Sequence, residues 1–293
     1  MHADEVQSDA ALVCRLLAAQ FPNWAGLAVT LVASSGTDNA MYRLGENMAG
    51  RLPWRPRATK SLAKEQAWLP GLAPHLPLAI PTPLARGTPG EGYPWAWSVC
   101  RWLEGENPIR GKIADPRGMA GDLATFISAL QRIDASDGPP PGAHNFWRGV
   151  PLARRDGHTR KAIAALSDSV DARAVTAGWE KDMHAPVWSG VPVWIHGDLS
   201  AGNLLTVQGR LSAVIDFGGL GVGDPACDLI VAWSLFDRDA RDAFRSALAV
   251  DDTTWARGRG WALSTALVAL DYYRETSPQI AQGARWTIGE VLN

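Results

Sequence analysis

Apolar positions along the chain fall into two periods, and the switches between them outline its organisation. Val13, Leu16 and Leu17 recur at helical spacing and predict a helix over residues 8–21. Two short β-type runs follow, 28–33 and 40–44, on either side of the polar stretch SSGTDN, and GEN makes a second turn. Together they predict a small antiparallel sheet. The first turn, 34–39, is rich in small residues and reads on its own as a hairpin loop. Residues 59–69 return to the helical period and stop at Pro70-Gly71. Leu62, Glu65 and Leu69 share one face of that helix. A glutamate on an apolar stripe either sits at its edge and reaches water or pairs inward with a cation. Arg51 is the nearest candidate partner.

A proline-rich segment then gives way to an apolar run, 93–103, that reads as a strand ended by EGEN. The composition turns helical after it, which places a boundary near 103–107. Met119, Leu123, Phe126, Ile127 and Leu130 make a strong 3.6-residue pattern, so 117–133 is a predicted helix. Residues 136–147 form a loop, and helices are expected near 155–167 and 171–183. Three short apolar runs come next: 191–195, 204–207 and 211–215, the last two joined by the turn QGR. Asp224-Pro225 begins a helix, with Asp224 suited to the cap and Pro225 to the first helical position. The remainder, 237–292, is helical, with Trp255, Trp261, Leu263 and Leu267 among its packing residues.

Composition narrows the class. The chain has 293 residues, 46% of them hydrophobic and 20% charged, as expected of a globular protein with a substantial core. A formal net charge of -2 gives no nucleic-acid footprint. Cys14, Cys100 and Cys227 are odd in number and in no metal spacing, so they read as free thiols in a reducing compartment. Asp4, Glu5 and Asp9 precede the first apolar stretch, unlike a signal peptide, and no run is long enough to span a bilayer. The expectation is a cytoplasmic protein with no membrane or obligatory protein partner.

The chemistry concentrates in WIHGDLSAGNLLTVQGRLSAVIDFGG, residues 194–219. Asp198 follows His196-Gly197 in a turn, Asn203 comes five residues later, and Asp216 ends the second strand of a hairpin. The protein-kinase catalytic loop reads H-R-D-L-x-x-x-N followed by D-F-G, and only its arginine is replaced here, by Gly197. The spacing has a physical purpose. Phosphoryl transfer needs one carboxylate to take or orient the proton of a hydroxyl, and oxygen ligands for Mg²⁺ on the nucleotide phosphates. As plain turn residues, Asp198, Asn203 and Asp216 would have no reason to occur in this order and spacing.

HGDLSAGN (196–203), ID (215–216) and GDPACDL (223–229) resemble the aminoglycoside phosphotransferase family of small-molecule kinases. The likeness extends over essentially the whole chain, with specific motifs in its C-terminal half and loose ones in its N-terminal half. It implies an α+β, two-lobed protein-kinase-like fold. An N-terminal antiparallel-sheet lobe with a helix, 1–103, would bind nucleotide, and a larger, mainly helical lobe, 104–293, would carry the catalytic and acceptor sites. The resemblance gives Asp198 the catalytic role and makes Asn203 and Asp216 the Mg²⁺ ligands. Ser35, Gly36 and Thr37 become the phosphate-covering loop, although it lacks G-x-G-x-x-G. Val99 and Arg101 lie at the hinge, residues 99–103, whose backbone would meet the adenine. Asp224 and Asp228 brace the catalytic loop, and His196 supports it. In one respect the chain departs from the pattern: the phosphate-binding residue on the third strand is usually lysine, and here the register offers Arg51, paired with Glu65. An arginine holds a phosphate with a planar fork rather than a point charge.

The implied activity moves the γ-phosphoryl of ATP or GTP to a hydroxyl of a small molecule, an aminoglycoside- or macrolide-type antibiotic. The alternatives are a kinase of another metabolite and a nucleotide-binding pseudoenzyme. Acidic residues in the tail (Asp237, Asp239, Asp242, Asp251, Asp252) are interleaved with arginines, the pattern of a solvated helix surface rather than a site for a polycation.

Overall fold

The computed structural model describes residues 6–32 and 39–293. After helix α1 (Ala10–Gln20) come strands β1 (Val29–Leu31), β2 (Asn39–Leu44) and β3 (Met48–Pro53), then helix α2 (Pro56–Leu72) and strands β4 (Pro83–Gly87) and β5 (Trp97–Arg101). All five strands form one antiparallel sheet in the order β1-β2-β3-β5-β4. Its alternation is legible in β2, whose residues are buried at every second position. The inward side chains, Ala40, Tyr42 and Leu44, meet Leu12, Val13, Leu16 and Leu17 of α1 in a small apolar core.

Two of the predicted elements have bounds that differ from expectation for identifiable reasons. Helix α2 starts three residues early and runs through Pro70. Pro56 occupies the first helical turn, where its fixed φ helps and its missing N–H costs nothing. Pro70 lies in the last turn, and Leu69 and Leu72 are buried beyond and beside it. The predicted strand over 93–103 is shortened to β5. Tyr93 exchanges two backbone hydrogen bonds with Gly90 in a turn, and Pro94 has no N–H to give a ladder.

The C-terminal half holds helices α3 (Pro116–Arg132), α4 (Asp156–Ala165) and α5 (Ala172–Met183), strands β6 (Val193–Ile195), β7 (Leu204–Val207), β8 (Arg210–Val214) and β9 (Gly221–Gly223), and helices α6 (Val231–Ser234), α7 (Arg238–Leu248), α8 (Asp252–Tyr273) and α9 (Pro278–Leu292). A larger core fills it, built on Phe126, Ile127 and Leu130 of α3, Trp194 of β6 and Trp261, Leu263 and Leu267 of α8. This core reaches back to take in Leu69, Leu72 and Ile80. Strands β7 and β8 form the expected hairpin. Its two turn residues, Gln208 and Gly209, both have positive φ (51° and 78°), matching the twist of the strands they join. Strand β9 pairs with β6 and was not foreseen, because GVG carries no periodic signal.

The connector between the halves is pinned at both ends. Trp102 N donates to Asn47 O at 2.8 Å, while Glu106 and Thr206 exchange two backbone bonds of 3.0 and 2.9 Å. No helix among the described residues is long and apolar enough to cross a membrane.

Candidate active site

Residues 196–198 form a turn between β6 and the β7–β8 hairpin. Gly197 has φ +81°, and a Cβ there would lie 2.3 Å from Gly219 O, so only glycine lets the two loops stack. Asp228 fixes this turn from below. Its carboxylate accepts the N–H groups of His196 (2.8 Å) and Gly197 (2.7 Å) and is fully buried. His196 is buried too; its ring contacts Ile215 O at 3.1 Å and packs 4.6 Å from the Phe217 ring. It braces the loop, as the resemblance implied.

The turn leaves Asp198 exposed. Asn203 Nδ2 donates to Asp198 O (2.8 Å) and to Asp198 Oδ2 (3.1 Å). Because those partners only accept, the amide nitrogen is spent on them and Oδ1 is left for a cation. Ile215 N donates to Asn203 O at 2.9 Å, which sets Asp216 beside Asn203. Asp216 itself is exposed, in a left-handed conformation (φ 61°) outside the preferred region for a non-glycine residue. Hydrogen bonding explains how it stays there: its Oδ1 accepts Gly218 N at 3.3 Å.

Arg51 and Glu65 form the buried ion pair considered above, with exposures of 8% and 4%. Burial works against the Arg51 charge, but Glu65 and then Asp216 more than offset it and hold the guanidinium above its ordinary range. Asp216, the carboxylate expected to hold a metal, is thus among the charges that stabilise the Arg51 guanidinium. Ser35, Gly36 and Thr37 lie outside the described residues. Val99 sits within the sheet, flanked by Gly50 of β3 and Ala85 of β4, and Arg101 N donates to Thr82 O at 2.9 Å. Both lie in β5, the strand that leads into the connector.

Several site residues had no signal in the sequence. Arg148 reaches the catalytic turn, with Nη2 3.7 Å from Asp198 Oδ1, and its guanidinium lies over the Trp261 ring. Its neighbours Phe146 and Trp147 are 53% and 49% exposed, with successive positive φ angles of 55° and 59°. Buried Asn145 ties this loop by accepting Gly142 N (2.9 Å) and donating to Arg148 O (3.1 Å). Lys64, one residue before Glu65, donates from α2 to Gly218 O and Leu220 O at 2.8 Å and to His144 O at 3.1 Å. Asp224 caps Ala226 N, as expected, and forms a two-pronged ion pair with buried Arg257 (2.8 and 3.3 Å), while the N–H groups of the catalytic turn go to Asp228. Only folding could bring Arg148, Lys64 and Arg257 to these carboxylates and carbonyls, since each lies dozens of residues or more from its partners.

Residues 29–261 match the family model described as the phosphotransferase enzyme family. A segment of 118 residues is 31% identical to an aminoglycoside 3'-phosphotransferase of Escherichia coli and 30% identical to one of Salmonella typhimurium. In each case it spans 38% of this chain and 41% of the relative's length. Among solved structures, the fold is similar to the GDP complex of aminoglycoside 2'-phosphotransferase-IIIa, with a TM-score of 0.73 and 20% identity over 97% of this chain and 99% of the other. It is also similar to the macrolide 2'-phosphotransferase apoenzyme of Brachybacterium faecium, with a TM-score of 0.64 and 21% identity over 97% of each chain.

Proposed function

The chain belongs to the phosphotransferase enzyme family, and from that premise we propose that it moves the γ-phosphoryl group of ATP or GTP to a hydroxyl of a small molecule, an antibiotic of the aminoglycoside or macrolide class. The observation that carries this reading is the Asp198–Asn203–Asp216 arrangement. One exposed carboxylate is oriented by an amide whose oxygen is left free, and a backbone bond from Ile215 to Asn203 brings a second exposed carboxylate, Asp216, next to that residue. Such a site suits Mg²⁺, which keeps waters and phosphate oxygens in its remaining positions.

Asn203 and Asp216 would hold the ion, which would neutralise charge on the nucleotide phosphates. Arg51 contributes a permanent positive charge on the sheet side. Asp198 orients the acceptor hydroxyl and takes its proton as the oxygen attacks. The hinge, residues 99–103 with Val99 and Arg101, would meet the nucleotide base. Exposed Phe146 and Trp147 border Arg148 at the Asp198 side, while Asp182, Asp224 and Asp228 are all engaged with arginines or backbone N–H groups. Cys14, Cys100 and Cys227 are all free, in keeping with action in a reducing cytoplasm.

The test is a turnover panel: purified protein, Mg²⁺, ATP or GTP, and hydroxylated antibiotics of both classes, read by nucleoside diphosphate release and product mass. Asp198→Ala is expected to lower kcat by about 10²–10⁴-fold, the range of general-base contributions. Full activity in that variant would falsify its role. Mg²⁺-dependent nucleotide binding without turnover on any acceptor would point instead to a holding function.

A further inference from the structure

We propose that Lys64 is a positioning residue that bolts α2, and with it the Arg51–Glu65 pair, to the two loops flanking Asp198, so that the phosphate-facing and metal-facing groups come into register together. The inference rests on the kinase reading above, and it assigns a role to a residue outside every motif.

Lys64 Nζ makes four short contacts, to Gly218 O (2.8 Å), Leu220 O (2.8 Å), His144 O (3.1 Å) and His144 Nδ1 (3.3 Å). An ammonium has three protons and no acceptor capacity, so three carbonyls from two separate loops match its chemistry. Gly218 and Leu220 flank Gly219, the residue against which Gly197 stacks beneath Asp198. His144 belongs to the loop whose Arg148 reaches Asp198 from the other side. On its own helix, the next residue is Glu65, which holds Arg51 on β3. One side chain thus touches both walls of the catalytic turn and adjoins the pair that faces the phosphates.

The charged and titratable groups around it are Glu65 on α2, Arg51 on β3, Asp216 before the Gly218 turn and His144 on the loop. Burial pushes the Lys64 ammonium down to about 8, against the pull of Glu65 and Asp216. A methyl-terminated side chain would anchor a helix without that penalty, and it could not address the carbonyls of two loops.

A double-mutant cycle on the full chain tests this, using Lys64→Met, Glu65→Gln and the pair, with Mg-ATP or Mg-GTP and an acceptor found by the panel. Lys64→Met is expected to lower kcat at least tenfold and raise the nucleotide KM severalfold while leaving the acceptor KM within twofold. In the Glu65→Gln background the same change is expected to cost no more than about twofold, because both act through one unit. Lys64→Gln, which keeps two donors, should recover part of the loss and serves if Lys64→Met does not fold. Effects that multiply, a kcat within twofold of wild type, or an equal rise in acceptor KM would overturn the inference. If the wild-type protein neither binds Mg-ADP nor turns over, the kinase reading falls and this role with it. Normal wild-type turnover beside an unaffected Lys64→Met overturns the role of Lys64 alone.

Discussion

At the scale of single residues, the site is a set of exposed groups held by buried ones. Asp198 and Asp216 face solvent, while Asp228, His196, Glu65 and Arg51 behind them are buried and paired. Two kinds of substitution should therefore separate. Arg51→Ala leaves the buried Glu65 unpaired and removes a charge from the phosphate side; a severalfold rise in nucleotide KM is expected together with a stability loss of about 3–5 kcal/mol, the range for breaking a buried pair. Steady-state kinetics and urea melts read the two effects independently. Gly197→Ala forces a side chain into left-handed backbone and against Gly219 O. A loss of about 2 kcal/mol in melts is expected, with kcat falling far more than nucleotide KM, because the displaced turn carries Asp198 and not the nucleotide. The grouping of Asp198, Asn203 and Asp216 was legible in the sequence because it is local: one turn and one hairpin set their separation. Arg148 was not, since nothing near position 148 announces a partner fifty residues ahead.

Among the secondary-structure elements, the helices were read well where a 3.6-residue pattern or a cap is encoded, as in α3 and α5, and poorly where tertiary burial decides the ends, as in α2. The strands β4 and β9 were missed because Pro83, Gly87 and two of the three β9 residues weaken any intrinsic strand signal. Helix caps give a clean test at this scale. Asp251 caps α8 by accepting the N–H groups of Thr253 (2.9 Å) and Thr254 (2.8 Å), and hydrogen bonds from the Thr253 side chain hold its carboxyl well below the usual range. A carboxylate depressed in the folded state stabilises above its unfolded pKa, near 3.9, and loses that contribution as pH falls through the folded value. Asp251→Ala is expected to cost about 1 kcal/mol at neutral pH. That difference should shrink below about pH 4 in melts of the two proteins; a pH-independent gap would reject the charged cap.

Across the whole molecule, the change of composition near 103–107 suggested a boundary and the family resemblance implied the two-lobed α+β plan, yet the physical division is less tidy. Ala79 exchanges bonds with the hairpin strand β8, Ala79 N to Ser212 O at 3.2 Å and Val214 N to Ala79 O at 3.0 Å, and the C-terminal half of α2 lies in the larger core. Lys64 adds a pH dependence to this arrangement. Its ammonium is pushed from the ordinary 10.5 to about 8, so between those values the native state binds fewer protons than the unfolded chain. Global stability should then rise with pH across that window. Coupling between the lobes should run the other way, because the neutral amine loses a proton and its charge. Melting temperature increasing above pH 8 while nucleotide kcat/KM declines is the expected signature, and both trends should vanish in Lys64→Met. The same anchoring bears on how long a nucleotide stays bound. With α2 held to the helical half through Lys64 and its C-terminal turn, and the connector pinned at Trp102 and Glu106, swinging the sheet away from α2 requires parting Arg51 from Glu65 among its other contacts. If parting that pair alone costs about 3 kcal/mol, the open form is a minority of about one molecule in a hundred or fewer. Residence time would then depend on this buried ion pair as well as on contact area.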